Sequence, residues 1–245
     1  MDGQSNISEG RDECMEGFKP FIGTDVQKST KASVFRSSVG PIVTLDGCDE
    51  KCFITTGNGQ IDNNCSFVVN GRYEALKILA IIFNGMFILI APVGYNLPMG
   101  NYKRVPQKEE VIDDKDETAS GKMVLQDLQN ALVFKVGAGT GLTYGYMERD
   151  ALGSKEQGLK GYMLVRSLGE KPFAAPGDGG ALVFHRRAKD WSCIGVLIGR
   201  SSTGTYVVKT IKEILEGFEQ YIGRSIALDT PFMDPQVSAI LDNEK

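Results

Sequence analysis

From Ser38 onward the chain alternates short apolar runs with clusters of Gly, Asp and Asn. VGPIVTL, CFITTG and CSFVVNG follow one another at the spacing of strands in a small barrel or sandwich. Leu76–Phe83 and Met86–Val93 are two apolar runs separated only by Asn84-Gly85. A type I′ turn needs positive φ at both central residues, so Asn-Gly between such runs predicts a hairpin of two buried strands. The alternative for residues 75–93 is a membrane segment, although a spanning helix needs roughly 20 apolar residues and this run is interrupted. β character returns in ALVFKVG, LTYGYM, GYMLVRSL, ALVF, SCIGVLIG and TYVVKT, with a tight turn at Ala138–Gly141. After Tyr206 the period changes: Val207, Ile211, Ile214, Leu215, Phe218 and Ile222 fall on one face of a helix, with Gly223 as its C-cap.

The pattern also divides the chain. Residues 1–33 are polar and aperiodic and read as a disordered leader. Residues 34–98 form a first β module, and 99–122 a charged linker without hydrophobic period. Residues 123–222 form a second β module closed by the helix, and 223–245, carrying Pro231 and Pro235, a tail.

Composition narrows the function classes. A net charge of −4 removes the basic face that a general nucleic-acid binder needs. The N-terminal segment has no apolar core and does not read as a signal peptide, so the expected compartment is the cytoplasm. The sequons at Asn6 and Asn64 carry weight only in a secreted chain. Five irregularly spaced cysteines fit reduced thiols. Cys48, Cys52 and Cys65 suggest zinc, but a fourth ligand is missing and the single histidine, His185, lies far along the chain. Neither a metal nor an organic cofactor is indicated.

One string carries chemistry. Phe173-Ala-Ala-Pro-Gly177-Asp178-Gly179-Gly180-Ala-Leu-Val resembles the nucleophile loop and following strand of the trypsin-like serine peptidases. Two further elements fit in order and spacing. Phe134-Lys135-Val136-Gly137 through Thr143-Tyr144-Gly145 is similar to the hairpin that opens that family's second barrel. Ile194–Gly199 is similar to its substrate-side strand. The resemblance covers roughly residues 38–222 and implies an all-β fold of two antiparallel, six-stranded-type β-barrels with a C-terminal α-helix.

The family's chemistry needs a serine hydroxyl, a histidine to take its proton and a carboxylate to orient that histidine. The resemblance places Gly179 at the serine position and Asn58, after Phe53-Ile-Thr-Thr-Gly, at the histidine position. Met86 stands at the carboxylate position, with Asn84 as an alternative. None of these can act as nucleophile or general base. His185 falls in the wrong barrel to substitute, and Cys193 lacks a basic neighbour to lower its pKa.

What the resemblance leaves is a backbone site: oxyanion-hole-like amides at Gly177, Asp178 and Gly179, and a strand at Val196, Leu197, Ile198 and Gly199 able to pair with an extended peptide. The expected function is a catalytically inactive protease homologue binding a peptide or protein segment. The alternative is an active hydrolase using an unorthodox group such as Thr55 or Thr56.

Overall fold

The computed structural model describes residues 23–29, 34–46, 51–57, 66–69, 72–74, 76–92, 130–148, 161–187 and 190–229. The expected linker at 99–122, Asn58 and Cys48 and Cys65 fall outside them.

The C-terminal half is a closed six-stranded barrel. Its strands are β9 (Leu132–Gly137), β10 (Gly141–Met147), β11 (Tyr162–Ser167), β12 (Leu182–Arg187), β13 (Asp190–Arg200) and β14 (Tyr206–Thr210). They close in the order β10-β11-β14-β13-β12-β9, with every pairing antiparallel. Inward positions at every second residue fill it: Val133, Met163, Val165, Val183 and Val208 surround Phe173 and Tyr206.

The N-terminal half is two packed antiparallel sheets. One runs β2-β1-β5-β6 and the other β15-β3-β4-β8-β7. The ranges are β1 Asp25–Ser29, β2 Val34–Ser38, β3 Ile42–Leu45, β4 Lys51–Thr56, β5 Ser66–Val69, β6 Arg72–Glu74, β7 Leu76–Ile82, β8 Phe87–Pro92 and β15 Ile226–Leu228. Val26, Phe53, Phe67, Ile88 and Ile90 form the core between these sheets.

β4 and β8 are apolar on both faces because both faces are covered. Phe53, Ile88 and Ile90 face the first core, while Cys52, Ile54, Phe87 and Leu89 face the second barrel and the helix. That double burial explains why the sequence of β8 resembles a membrane segment. No helix among the described residues is long and apolar enough to cross a bilayer.

The Asn84-Gly85 expectation holds. The two residues have φ of 54° and 86°, and Met86 N–H donates to Phe83 O at 3.1 Å. Helix α1 (Ile211–Ile222) ends on Gly223 at φ 72°, whose N–H donates to Glu219 O. Its buried residues Ile214, Phe218 and Ile222 pack onto the seam between the halves.

Two segment boundaries are corrected. Residues 25–29, expected within a disordered leader, form β1, which pairs with both β2 and β5. Residues 226–228, expected within a tail, form β15 on β3, with Ile226 buried. Both strands are short and one is polar, so neither carries a hydrophobic period visible in sequence; pairing partners in the first half supply the stability.

Candidate functional site

The loop Phe173–Gly180 leads into β12 and runs along the seam between the two halves. Its anchor is Asp178, whose side chain is fully buried. Oδ1 accepts the Gly139 and Thr140 amides at 2.7 and 3.1 Å. Oδ2 accepts the Thr140 hydroxyl at 2.7 Å and the Ala175 amide at 2.9 Å. Lys135 Nζ lies 3.0 Å from Oδ2, equally buried, and also donates to Thr140 Oγ1 at 2.7 Å. The loop is therefore tied to the β9–β10 turn by one carboxylate with five donors.

Burial alone pushes the Asp178 carboxyl up, but the Ala175 amide, Lys135 and Thr140 outweigh it and hold the group below its ordinary value. Burial also pulls the Lys135 ammonium down, with Asp178 offsetting only part of that. The carboxylate is the firmer end of the pair, because three of its donors are amides fixed in the loop and turn.

The first half grips the same loop through hydroxyls. Ser38 N–H donates to Gly179 O at 2.7 Å, and Ser38 Oγ donates to Gly177 O and accepts from Ala138 N–H, both at 2.9 Å. Thr55 Oγ1 donates to Ser38 O at 2.8 Å and lies 2.8 Å from Ser37 Oγ. Gly180, at φ 94°, lies so close that a Cβ there would meet Ser38 O at 2.5 Å. Lys28, buried on β1, donates to the Thr56 carbonyl.

The expected nucleophile position is occupied in a specific way. A Cβ at Gly179 would stand 2.9 Å from Thr56 Oγ1 and 3.6 Å from Ile198 O. Thr56, 8% exposed at the end of β4, thus faces the place a side chain would fill. Asp178 N–H turns inward to Ala175 O at 3.1 Å. The flanking amides of Gly177 and Gly179 donate to no acceptor among the described residues, and neither does the Thr56 hydroxyl. So three donors are left open among the described residues, and two of them, on Gly179 and Thr56, belong to neighbouring groups.

Of the other expected positions, Met86 is half-buried, and its carbonyl accepts Gly57 N–H at 2.8 Å. That bond holds the hairpin to the end of β4, one residue before Asn58. Asn84 is exposed at the hairpin tip, where its positive φ builds the turn. His185 Nδ1 lies 3.2 Å from Leu132 O, an ordinary strand-end contact. Burial pushes the Cys193 thiol up to about 12, the reverse of what a nucleophile requires. No cluster of His, Cys, Asp and Glu among the described residues could hold a metal ion.

The expected peptide-pairing strand is displaced toward its end. Val196 pairs with Leu182 on one side and Lys209 on the other. Leu197 N–H donates to Ala181 O, and its carbonyl accepts Gly180 N–H. Both residues are closed. Beyond Leu197 the pairing with β12 stops; Gly199 and Arg200 pair with β14 alone, and Ile198, at a bulge, has no register partner on either side among the described residues. The open edge starts at Ile198, beside Gly179.

Lys135 and Arg200 were not among the site residues that the sequence suggested; Thr56 was, as an alternative catalytic group. Lys135 carried a signal: a lysine inside the apolar run LVFKVG must find a buried anion.

No protein-family model matches the chain, and no curated protein matches it. Solved structures do. A Nocardiopsis protease (NAPase) is 18% identical, covers 86% of this chain and 98% of that one, and superimposes with a TM-score of 0.50. A glutamic-acid-specific serine protease, described as using a histidine triad in substrate binding, is 17% identical over 84% of this chain and 100% of that one, also with a TM-score of 0.50. At such identities the likeness speaks to the fold: this chain has the trypsin-like double-barrel architecture.

Proposed function

We propose that the chain is a catalytically silent protease homologue that holds an extended peptide or protein segment in the cleft between its halves. The supporting observation is the edge Ile198–Arg200, open among the described residues, which begins beside Gly179, the position the resemblance assigns to the nucleophile. A peptide added there gains main-chain hydrogen bonds, and side-chain pockets along the cleft set its sequence preference. The loop beside it is held rigidly by Asp178, so the backbone site survives without the chemistry. The reading has no role for metal, cofactor, nucleic acid or membrane, and takes the chain to act in the cytoplasm. A display screen of peptide segments against the full chain tests it. Enriched sequences that lose binding when Gly199→Pro blocks the edge support the reading, and an unenriched screen removes it.

A second reading has one observation in its favour: the Thr56 hydroxyl has no partner among the described residues and faces Gly179. A threonine hydrolase would need a base on that oxygen. Lys28 meets the Thr56 carbonyl instead, and no described group is bonded to Oγ1. Incubation with a fluorophosphonate, read by intact mass, separates the readings: a stoichiometric adduct on Thr56 establishes the hydrolase.

A further inference from the structure

Peptide binding alone leaves the donors at Gly179 undersupplied. β13 runs from Ile198 to Arg200, away from Gly179. All strand pairings in this barrel are antiparallel. A peptide added in the same sense therefore brings its C-terminal end to Ile198, beside Gly179, whose amide is open, and the open hydroxyl of Thr56. A carbonyl in mid-chain offers one neutral oxygen to these donors. A terminal carboxylate offers two oxygens and a full charge, and charge-assisted hydrogen bonds are roughly twice as strong as neutral ones.

The surroundings permit an anion. The carboxylate of Asp178 is enclosed by Lys135, Thr140, Gly139 and Ala175, so its charge is already matched. Glycine at 179 leaves the place of a side chain empty, and Thr56 Oγ1 borders that place.

Resting on the peptide-binding reading, we infer that the cleft recognises free C-termini: the last residues of a partner add to Ile198–Arg200, and the terminal carboxylate is held by Gly179 N–H and Thr56 O–H. Loss of the serine side chain then serves the site, because a hydroxymethyl group at 179 would crowd both Thr56 and the ligand.

The test uses the full chain, fluorescently labelled, on bead libraries of hexapeptides randomised at their C-terminal positions. The library is displayed once with a free carboxylate and once as the amide, and the best sequences are remade as soluble pairs for anisotropy. The expected result is at least about tenfold tighter binding of each acid over its amide. Thr56→Val should weaken the acids severalfold and the amides by less, narrowing the preference for the acid. Equal binding of acid and amide by the unmutated chain overturns this inference while leaving strand addition intact. Absence of binding in both formats overturns strand addition as well.

Discussion

The ammonium of Lys135 and the carboxylate of Asp178 meet at 3.0 Å with neither side chain reaching solvent, and through them the β9–β10 turn fixes the loop that bears Gly179. Breaking such a pair from one side leaves a buried charge without its counterion, which costs about 3–5 kcal/mol. Lys135→Met, close in volume to the stem it replaces, should lower stability by about that amount in urea denaturation. A loss below about 1 kcal/mol would show that the amides alone hold the carboxylate.

Acid should weaken the same anchor. The Asp178 carboxyl is held below its ordinary 3.8, after burial, which raises it, is outweighed by the Ala175 amide, Lys135 and Thr140. A depressed folded value means that the unfolded chain takes up the proton first. The stability contributed by Asp178 is complete above the unfolded value and is lost as pH falls through the lower folded one. Urea midpoints near neutral pH and at about pH 3 should therefore diverge more for the unmutated chain than for Asp178→Asn, which has no proton to bind there. Equal divergence would place the acid sensitivity elsewhere.

The two adjacent glycines of the loop should respond differently to alanine. Gly180 combines φ 94° with backbone directly in the way, Ser38 O at 2.5 Å from a Cβ. Gly179 has no positive φ, and its nearest obstacle is the Thr56 hydroxyl at 2.9 Å, which can rotate. Gly180→Ala should cost about 2–4 kcal/mol, and Gly179→Ala less than about 1.5 kcal/mol, in paired thermal or urea unfolding. Reversal of that order would mean that the seam is not as close as its hydrogen bonds require.

The contrast between these glycines also shows what sequence can and cannot deliver. Asn84-Gly85 announces its hairpin because the turn's dihedrals select those two residues, and the alternation along β9 to β14 announces a barrel because one face of each strand must be apolar. β1 stays hidden: DVQKS carries a lysine at a buried position, and only pairing with β2 and β5 makes it a strand. At the site, Gly177–Gly180 is readable as a glycine-rich loop ahead of a buried strand. The partner of Asp178 is a lysine 43 residues earlier, and the face opposite Gly179 is a threonine 123 residues earlier; neither separation has a period. The stop in β12–β13 pairing after Val196, which makes Ile198 the first open residue, depends on where Gly180 and Ala181 bond to Leu197.

Ser38 should matter beyond its size. Its hydroxyl satisfies Ala138 N–H and Gly177 O together. Ser38→Ala leaves both groups without that partner in a fully buried position, a loss of about 1–3 kcal/mol. Because Ser38 bonds both Gly177 O and Gly179 O and so helps fix the loop that carries the open Gly179 amide, the variant should also bind peptide acids less well, whereas a substitution confined to packing would change stability alone. Anisotropy on the soluble acid and amide pairs, run beside urea unfolding, separates the two effects.

Cys193 sits opposite Phe184 on β13 and packs against the core shared by both halves. Burial pushes its thiol up to about 12 against an ordinary 9.0, with the Gly195 backbone hydrogen bond opposing only weakly. At mildly alkaline pH its thiolate fraction is then about a thousandfold below that of an open thiol, and the thiolate is the reacting species. Iodoacetamide applied to the native chain and read by peptide mass spectrometry should leave Cys193 unmodified, and modification should appear in step with unfolding as urea is raised. Labelling of Cys193 in the native chain at the rate of a free thiol would mean that the β12–β13 pairing opens locally, and with it the strand that carries the Ile198 edge.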